Sequence, residues 1–377
     1  MELKLILICI DVLKKLNPPV EGFLLNCKKE FMENFILAID AGTTSSRAIL
    51  FDKNANPIEI AQHEFNQFFP KEGWVEHDPI EIWNTQLKAI REVIQKSKID
   101  PKNIDSIGIT NQRETTVIWN KDTGQPVYNA IVWQDRRTAS FCDKLKEENK
   151  SELIQDKTGL VIDAYFSGTK IKWILDSKSE IREQADKGQL IFGTIDTWLI
   201  WNLSKGKYHL TDPSNASRTL LYNIKDDVWD DELLEIFDVP RNILPKVVDS
   251  SAISAYIDEQ ILGSKIPIAG IAGDQQAALF GQLCVNPGDI KNTYGTGCFC
   301  MMNTGKSAVK SKNKMLSTIA WRINGELTYA LEGSVFVAGA LIQWLRDKLA
   351  IIKDAPEVEN LANTVKDNGG VTFIPAL

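Results

Sequence analysis

The feature that most constrains this chain is an echo. The run Asp40-Ala41-Gly42-Thr43-Thr44-Ser45-Ser46-Arg47 joins two strand-like stretches, 36–40 and 47–52. Far downstream, 292–303 repeats the theme of strand, Gly295-Thr296 turn and strand. One Gly-Thr pair between strands is ordinary turn chemistry. Two of them, near opposite ends of 377 residues, fit a duplicated α/β architecture in which each of two related domains offers one hairpin to a shared cleft. That length suffices for two or three domains with their own cores.

Between the hairpins the pattern stays α/β. Asp78-Pro79-Ile80-Glu81 reads as a helix start, with an acidic cap, proline at the first helical position and a capping-box Glu. Trp83, Leu87, Ile90 and Ile94 follow at helical spacing. Strands are expected at 104–110, 115–120, 190–192 and 268–272, with a polar corner at 111–114. Charged helical sequence covers 140–185, one helix carries Trp198 and Trp201, and another runs over 275–283. Ser334 is expected to cap a helix whose Val337, Leu341, Trp344 and Leu345 share a face, and 371–377 reads as an apolar strand.

Composition narrows the function. Hydrophobic residues at 44% and charged residues at 25% are ordinary for a globular protein, and a formal charge of −7 favours no nucleic-acid partner. Six cysteines form no C-x-x-C pair and there are three histidines, so a zinc site has little to build on and a reducing, cytoplasmic setting is the simple reading. The apolar stretch 5–10 is too short to span a bilayer, and no small-x-small cleavage site follows it. Residues 1–31 are therefore expected to be an extension outside the fold, with no membrane partner.

The first hairpin has the residues for phosphate. Asp40, at a strand end, can hold a hydrated Mg²⁺. Gly42 lets backbone approach an anion, the hydroxyls of Thr43, Thr44 and Ser45 supply donors, and Arg47 adds charge. A bare Gly-Thr-Thr would be a hydroxyl-rich turn; flanked by Asp and Arg, it reads as a phosphate site. Other nucleotide signatures fail. Gly305-Lys306-Ser307 resembles the end of a Walker A loop, but Cys300 stands where its first glycine belongs. No G-x-G-x-x-G opens a helix after a strand, and no H-R-D triplet is present.

Seven segments then carry a family resemblance: DAGTTSSR at 40–47, GITNQRETT at 108–116, WQDRR at 133–137, YFSGTK at 165–170, TDPSNASRT at 211–219, GIAGDQQAA at 270–278 and NTYGTGCF at 292–299. In this order they resemble the glycerol kinases of the FGGY carbohydrate kinase family. The resemblance implies an α/β, actin-like (ribonuclease H-like) ATPase fold, two related domains around a cleft, and ATP-dependent phosphorylation of glycerol to sn-glycerol 3-phosphate with Mg²⁺. It matches Arg113, Glu114, Tyr165, Asp274 and Gln275 to glycerol contacts, and Trp133 and Phe299 to an apolar wall. Thr43, Thr44, Ser45, Arg47, Thr296, Gly339 and Gln343 match nucleotide or phosphate contacts.

The chemistry of these residues agrees with the match. A neutral triol needs donors and acceptors together: Arg113 donates, Glu114, Asp274 and Gln275 accept, and Tyr165 does either. Asp274, between a strand and a helix, is the candidate general base. Taken singly, Asp274 would be a helix cap, Arg113-Glu114 a surface ion pair and Trp133 plain core. Their conjunction favours the site.

The expected boundaries are 32–283 for the first domain and 284–377 for the second. The family continues past 371–377 with a Gly-rich adenosine segment, so the second domain is expected to be incomplete. A kinase for another sugar or polyol, a truncated non-catalytic fragment and a homo-oligomer all stay open.

Overall fold

The computed structural model describes residues 34–374 apart from positions 296, 314 and 336. The extension 1–31 and Thr296 thus lie outside the described residues, as do the last three residues of 371–377.

Ten strands form one sheet. They are β1 (Phe35–Ala41), β2 (Ser45–Asp52), β3 (Pro57–Glu64), β4 (Ile104–Asn111), β5 (Ser251–Tyr256), β6 (Pro267–Gly273), β7 (Ile290–Tyr294), β8 (Cys298–Gly305), β9 (Leu316–Ile323) and β10 (Glu326–Val335). Their spatial order is β7-β8-β10-β9-β5-β6-β4-β1-β2-β3. One end is a unit in which β3, β2 and β1 meander antiparallel while β4 and β6 run parallel to β1. The other end, β7 to β10, is wholly antiparallel. A single pair, Ser251 with Ile323, joins them.

Alternation along β1 sorts its side chains onto two faces. Leu37, Ile39 and Ala41 enter the main core, while Ile36 and Ala38 pack with Ile49 and Phe51 on the opposite face. Such a strand, buried on both sides, reads as an uninterrupted apolar run. The main core is closed by α1 (Pro79–Ser97) and α2 (Ile195–Leu203).

Helix α1 begins as its sequence demands, with Asp78 Oδ1 accepting from Ile80 N at 2.8 Å and proline in the first turn. Glu81 does not complete a capping box; it accepts from Asn66 Nδ2 at 2.9 Å. The buried face is Ile82, Gln86, Ala89, Ile90 and Val93, with Trp83 and Ile94 at its margin. The expected stripe was therefore rotated, because a glutamine occupies its centre. Gln86 Nε2 donates to Arg47 O at 2.9 Å, while its Oε1 is buried without a hydrogen-bond partner among the described residues. Ile82, Ile90 and Val93 are sealed, each stabilising the domain by about 1.5–3 kcal/mol.

Helix α3 (Asp274–Gly281) follows β6 directly, and α4 (Gly339–Asp347) follows β10. Ser334 is not the cap of α4. It lies within β10, opposite Phe299, and α4 begins after Ala338 with no side-chain cap. Residues 371–374 form no strand, since nothing among the described residues pairs with them. No helix among the described residues is long and apolar enough to cross a membrane.

Candidate active site

Both hairpin tips line one cleft of about 420 Å³, with Thr43 and Thr44 from the first and Thr293, Gly295 and Gly297 from the second. Arg113, Glu114, Trp133, Tyr165, Asp274, Gln275 and Phe299 complete its wall with Gln67, Phe69 and Gln134.

The corner after β4 brings up Arg113 and Glu114. Gln112 N donates to Ala41 O at 2.7 Å and Gln112 Nε2 to Gly42 O at 3.0 Å, binding the corner to the first hairpin. Glu114 adopts φ 59°, and Thr115 N donates to Arg113 O at 2.7 Å, which makes a tight three-residue turn. Left-handed backbone at a glutamate costs on the order of 1–3 kcal/mol. Hydroxyls of Thr116 and Ser167 hold it by donating to Glu114 O at 3.1 and 3.0 Å.

Both charges of the corner are buried and shared. Arg113 Nη1 donates to Glu332 Oε2 at 2.5 Å and to Gln276 Oε1 at 3.2 Å; Nη2 donates to Glu332 Oε1 and Tyr165 Oη, both at 3.2 Å. Its Nε stands 3.4 Å from Asp274 Oδ1 and 3.7 Å from Glu114 Oε1. Arg218 closes the group, with Nε donating to Glu114 Oε1 at 2.6 Å and Nη2 to Glu332 Oε1 at 2.8 Å. Two arginines and two glutamates thus form a ring, each at most 3% exposed. Burial pushes the Glu114 carboxyl upward against the pull of both arginines. At Glu332 burial acts in the same sense, but Arg113 and Arg218 overcome it and hold that carboxyl at about 2.

Asp274 opens α3. Its Oδ1 accepts from Gln275 N at 2.7 Å, and its side chain is 36% exposed, so it is open to a bound molecule. Gln275 Oε1 accepts from the buried Lys291, whose Nζ also donates to Thr293 Oγ1 at 2.9 Å and Phe299 O at 3.3 Å. Trp133 meets Tyr165 and Phe299 edge-on, with centroids 5.7 and 6.3 Å away. Its Nε1 donates to Thr43 Oγ1 at 3.1 Å, tying the apolar wall to the hairpin. Burial, with Glu114 near, raises the Tyr165 phenol far above its ordinary range, so its hydroxyl keeps its proton. Beneath it Lys170 Nζ donates to Tyr165 O at 2.5 Å and Phe166 O at 3.1 Å, and burial lowers that lysine to about 8.

Several expected residues are not in the cleft wall. Ser45 and Arg47, two apart on β2, share a face and meet Gln62 of β3: Arg47 Nε donates to Gln62 Oε1 and Gln62 Nε2 donates to Ser45 Oγ, both at 3.0 Å. Asp40 lies directly opposite Arg47 on β1, beside the hairpin. Gly339 N donates to Gly295 O at 3.0 Å, which sets α4 against the second hairpin, and Gln343 lies exposed one turn along. Arg218, Glu332, Lys291 and Gln67 were not foreseen individually. The legible signal for Glu332 was a lone charge directly after the apolar run Tyr329-Ala330-Leu331.

The sheet order and the two hairpins facing one cleft fit an actin-like ATPase fold. The N-terminal domain of the FGGY family of carbohydrate kinases matches residues 35–281, and its C-terminal domain matches 290–377. The chain is 60% identical over 342 residues to glycerol kinase 2 of Thermotoga maritima, covering 91% of this chain and 69% of that protein. It is 59% identical over 345 residues to glycerol kinase 1 of Clostridium tetani, covering 92% and 69%. Among solved structures, Plasmodium falciparum glycerol kinase with ADP superposes with a TM-score of 0.84 at 37% identity, over 91% of this chain and 69% of that one. Gluconate kinase from Lactobacillus acidophilus shares the fold, with a TM-score of 0.79 at 23% identity over 88% and 66%. The chain belongs to the FGGY family of carbohydrate kinases.

Proposed function

We propose that the protein transfers the γ-phosphoryl group of ATP to a terminal hydroxyl of glycerol, giving sn-glycerol 3-phosphate. The observation that carries this reading is the grouping, in one cleft beside both hairpin tips, of Arg113, Glu114, Tyr165, Asp274 and Gln275 with the rings of Trp133 and Phe299. Its relatives named glycerol kinase support it.

In this reading the polar residues orient the three hydroxyls and the rings receive the carbon side. Asp274 accepts the proton of the attacking hydroxyl as its oxygen bonds to the γ-phosphorus, and the bond to the leaving ADP oxygen breaks. The hairpins hold phosphate through backbone N–H groups and hydroxyls. Gly42 suits this role, since a Cβ there would lie 3.3 Å from Ser45 O and crowd the turn. Asp40 offers a hard oxygen beside the hairpin, which fits Mg²⁺, an ion that takes one or two carboxylates and completes its shell with water and phosphate oxygens. When bound, Mg²⁺ supplies charge neutralisation at the phosphates. Asp40 and the first hairpin belong to the domain we place at 32–283, the second hairpin and α4 to that at 284–377. Use of ATP and the free thiols of Cys142, Cys284, Cys298 and Cys300 support a cytoplasmic setting.

Coupled ADP release across glycerol, pentoses, hexoses and gluconate tests the reading. Glycerol should give the highest kcat/KM; a higher value for any sugar would replace glycerol as the substrate.

A further inference from the structure

The buried ring has a member from the far end of the sheet. Glu332 lies on β10, while Arg113 and Glu114 follow β4 and Arg218 follows the short helix Pro213–Ala216. Its carboxylate grips Arg113 through both terminal nitrogens at 2.5 and 3.2 Å, a fork that fixes the plane of the guanidinium. Gln276 and Tyr165 take further Nη hydrogens at 3.2 Å each. The donor that remains is Nε–H, whose nitrogen stands between Asp274 and Glu114 at 3.4 and 3.7 Å, and all three residues line the cleft.

Arg218 reaches Glu332 from the other side and is itself held over the rings of Phe166 and Tyr165, with centroids 5.2 and 5.6 Å away. Lys291 adds to the positive field at Glu332. Remove the Glu332 charge and two buried guanidiniums are left beside each other with Glu114 as their shared anion. Arg113 then gains by turning toward Asp274, the carboxylate assigned to the reacting hydroxyl.

We propose that Glu332, braced by Arg218, is a positioning residue for the polyol site. It holds Arg113 by its outer nitrogens so that Nε–H is left for the substrate and Asp274, 3.4 Å from Nε, is not drawn into a closer pair. The proposal rests on the reading of Arg113 as a glycerol contact. It also explains why a charged residue from β10 is buried beneath a pocket formed largely by the opposite end of the sheet.

Steady-state kinetics of the full chain with Glu332→Gln, which keeps shape and removes charge, test it. Glycerol KM should rise about tenfold or more while ATP KM stays within about twofold. In an Arg113→Ala background the same change should add less than about twofold, since the two act as one unit. Arg218→Lys, which keeps the charge but loses the guanidinium that bridges Glu114 and Glu332, should fall between wild type and Glu332→Gln, and it decides the matter if Glu332→Gln melts at assay temperature. Equal shifts in both KM values, or full multiplication of the Glu332 and Arg113 effects, would overturn the positioning role and leave the substrate site standing. An Arg113→Ala enzyme with unchanged glycerol KM would overturn the site reading and this inference with it.

Discussion

The two hairpins share a Gly-Thr sequence but not a manner of support. The first is tied by side chains from three directions: Gln67 Nε2 donates to Thr43 O at 3.2 Å, Gln112 Nε2 to Gly42 O at 3.0 Å and Trp133 Nε1 to Thr43 Oγ1 at 3.1 Å. The second, among the described residues, has one side chain across its strands, Lys291 Nζ donating to Thr293 Oγ1 at 2.9 Å and Phe299 O at 3.3 Å, and its described tip residues are joined by backbone bonds, Gly295 N to Gly297 O at 2.9 Å and Gly339 N to Gly295 O at 3.0 Å. Tyr294 beside it is 80% exposed. The first hairpin is thus locked by side chains, to the polyol wall through Trp133 and to the Arg113 corner through Gln112, which preorganises that side of the cleft, whereas the described residues of the opposing tip are joined by backbone bonds.

The largest expected effect falls at the junction of the two sides. Asp274→Asn should lower kcat by ~10²-fold or more, the low end for a general base, with ATP KM little changed. Near-wild-type turnover would remove Asp274 from that role and with it the functional weight of the preorganised wall.

A smaller effect probes the strap itself. Trp133→Phe keeps an aromatic wall but removes the hydrogen bond to Thr43, worth about 0.5–1.5 kcal/mol. ATP KM should rise about two- to tenfold, and hydrogen exchange at Gly42 should quicken while Gly295 stays unchanged. An unaltered Gly42 amide would mean that the glutamines alone fix the hairpin.

Acid should loosen the first hairpin through His77. Its Nε2 donates to Gln67 Oε1 at 2.6 Å, and burial pushes the ring down to about 4 from its ordinary 6.5. The unfolded chain therefore takes up this proton at higher pH than the folded one. Stability present above about 6.5 is lost as the pH falls toward about 4. Exchange protection at Gly42, corrected for intrinsic rates, should fall across that window more than protection at Gly295. Parallel loss at both would assign the acid response to global unfolding, to which the buried His209 contributes in the same direction.

Much of this wall was legible in the sequence because its motifs are local. The Asp40–Arg47 run, the Arg113-Glu114 corner and the Gly-Asp strand end each declare themselves within a few residues. The buried charges that pair with Arg113 were not, because the partners lie far apart: Glu332 is 219 residues from Arg113 and 114 from Arg218. Strand alternation could not orient Glu332 either, since β10 is buried on both faces at its middle. The α1 stripe is rotated because a glutamine sits at a core position, where its Nε2 donates to a backbone carbonyl. Ser334 reads as a cap because a serine before an apolar periodic run looks the same whether the strand has ended or not.

The claim that the glycerol side is built before nucleotide arrives is tested most directly by calorimetric titration of glycerol into the protein without ATP. Wild type should bind glycerol saturably at one to one, and Arg113→Ala should raise the dissociation constant about tenfold or more, the loss expected for a charged donor. No binding until nucleotide is added, or equal affinity in the two proteins, would contradict it.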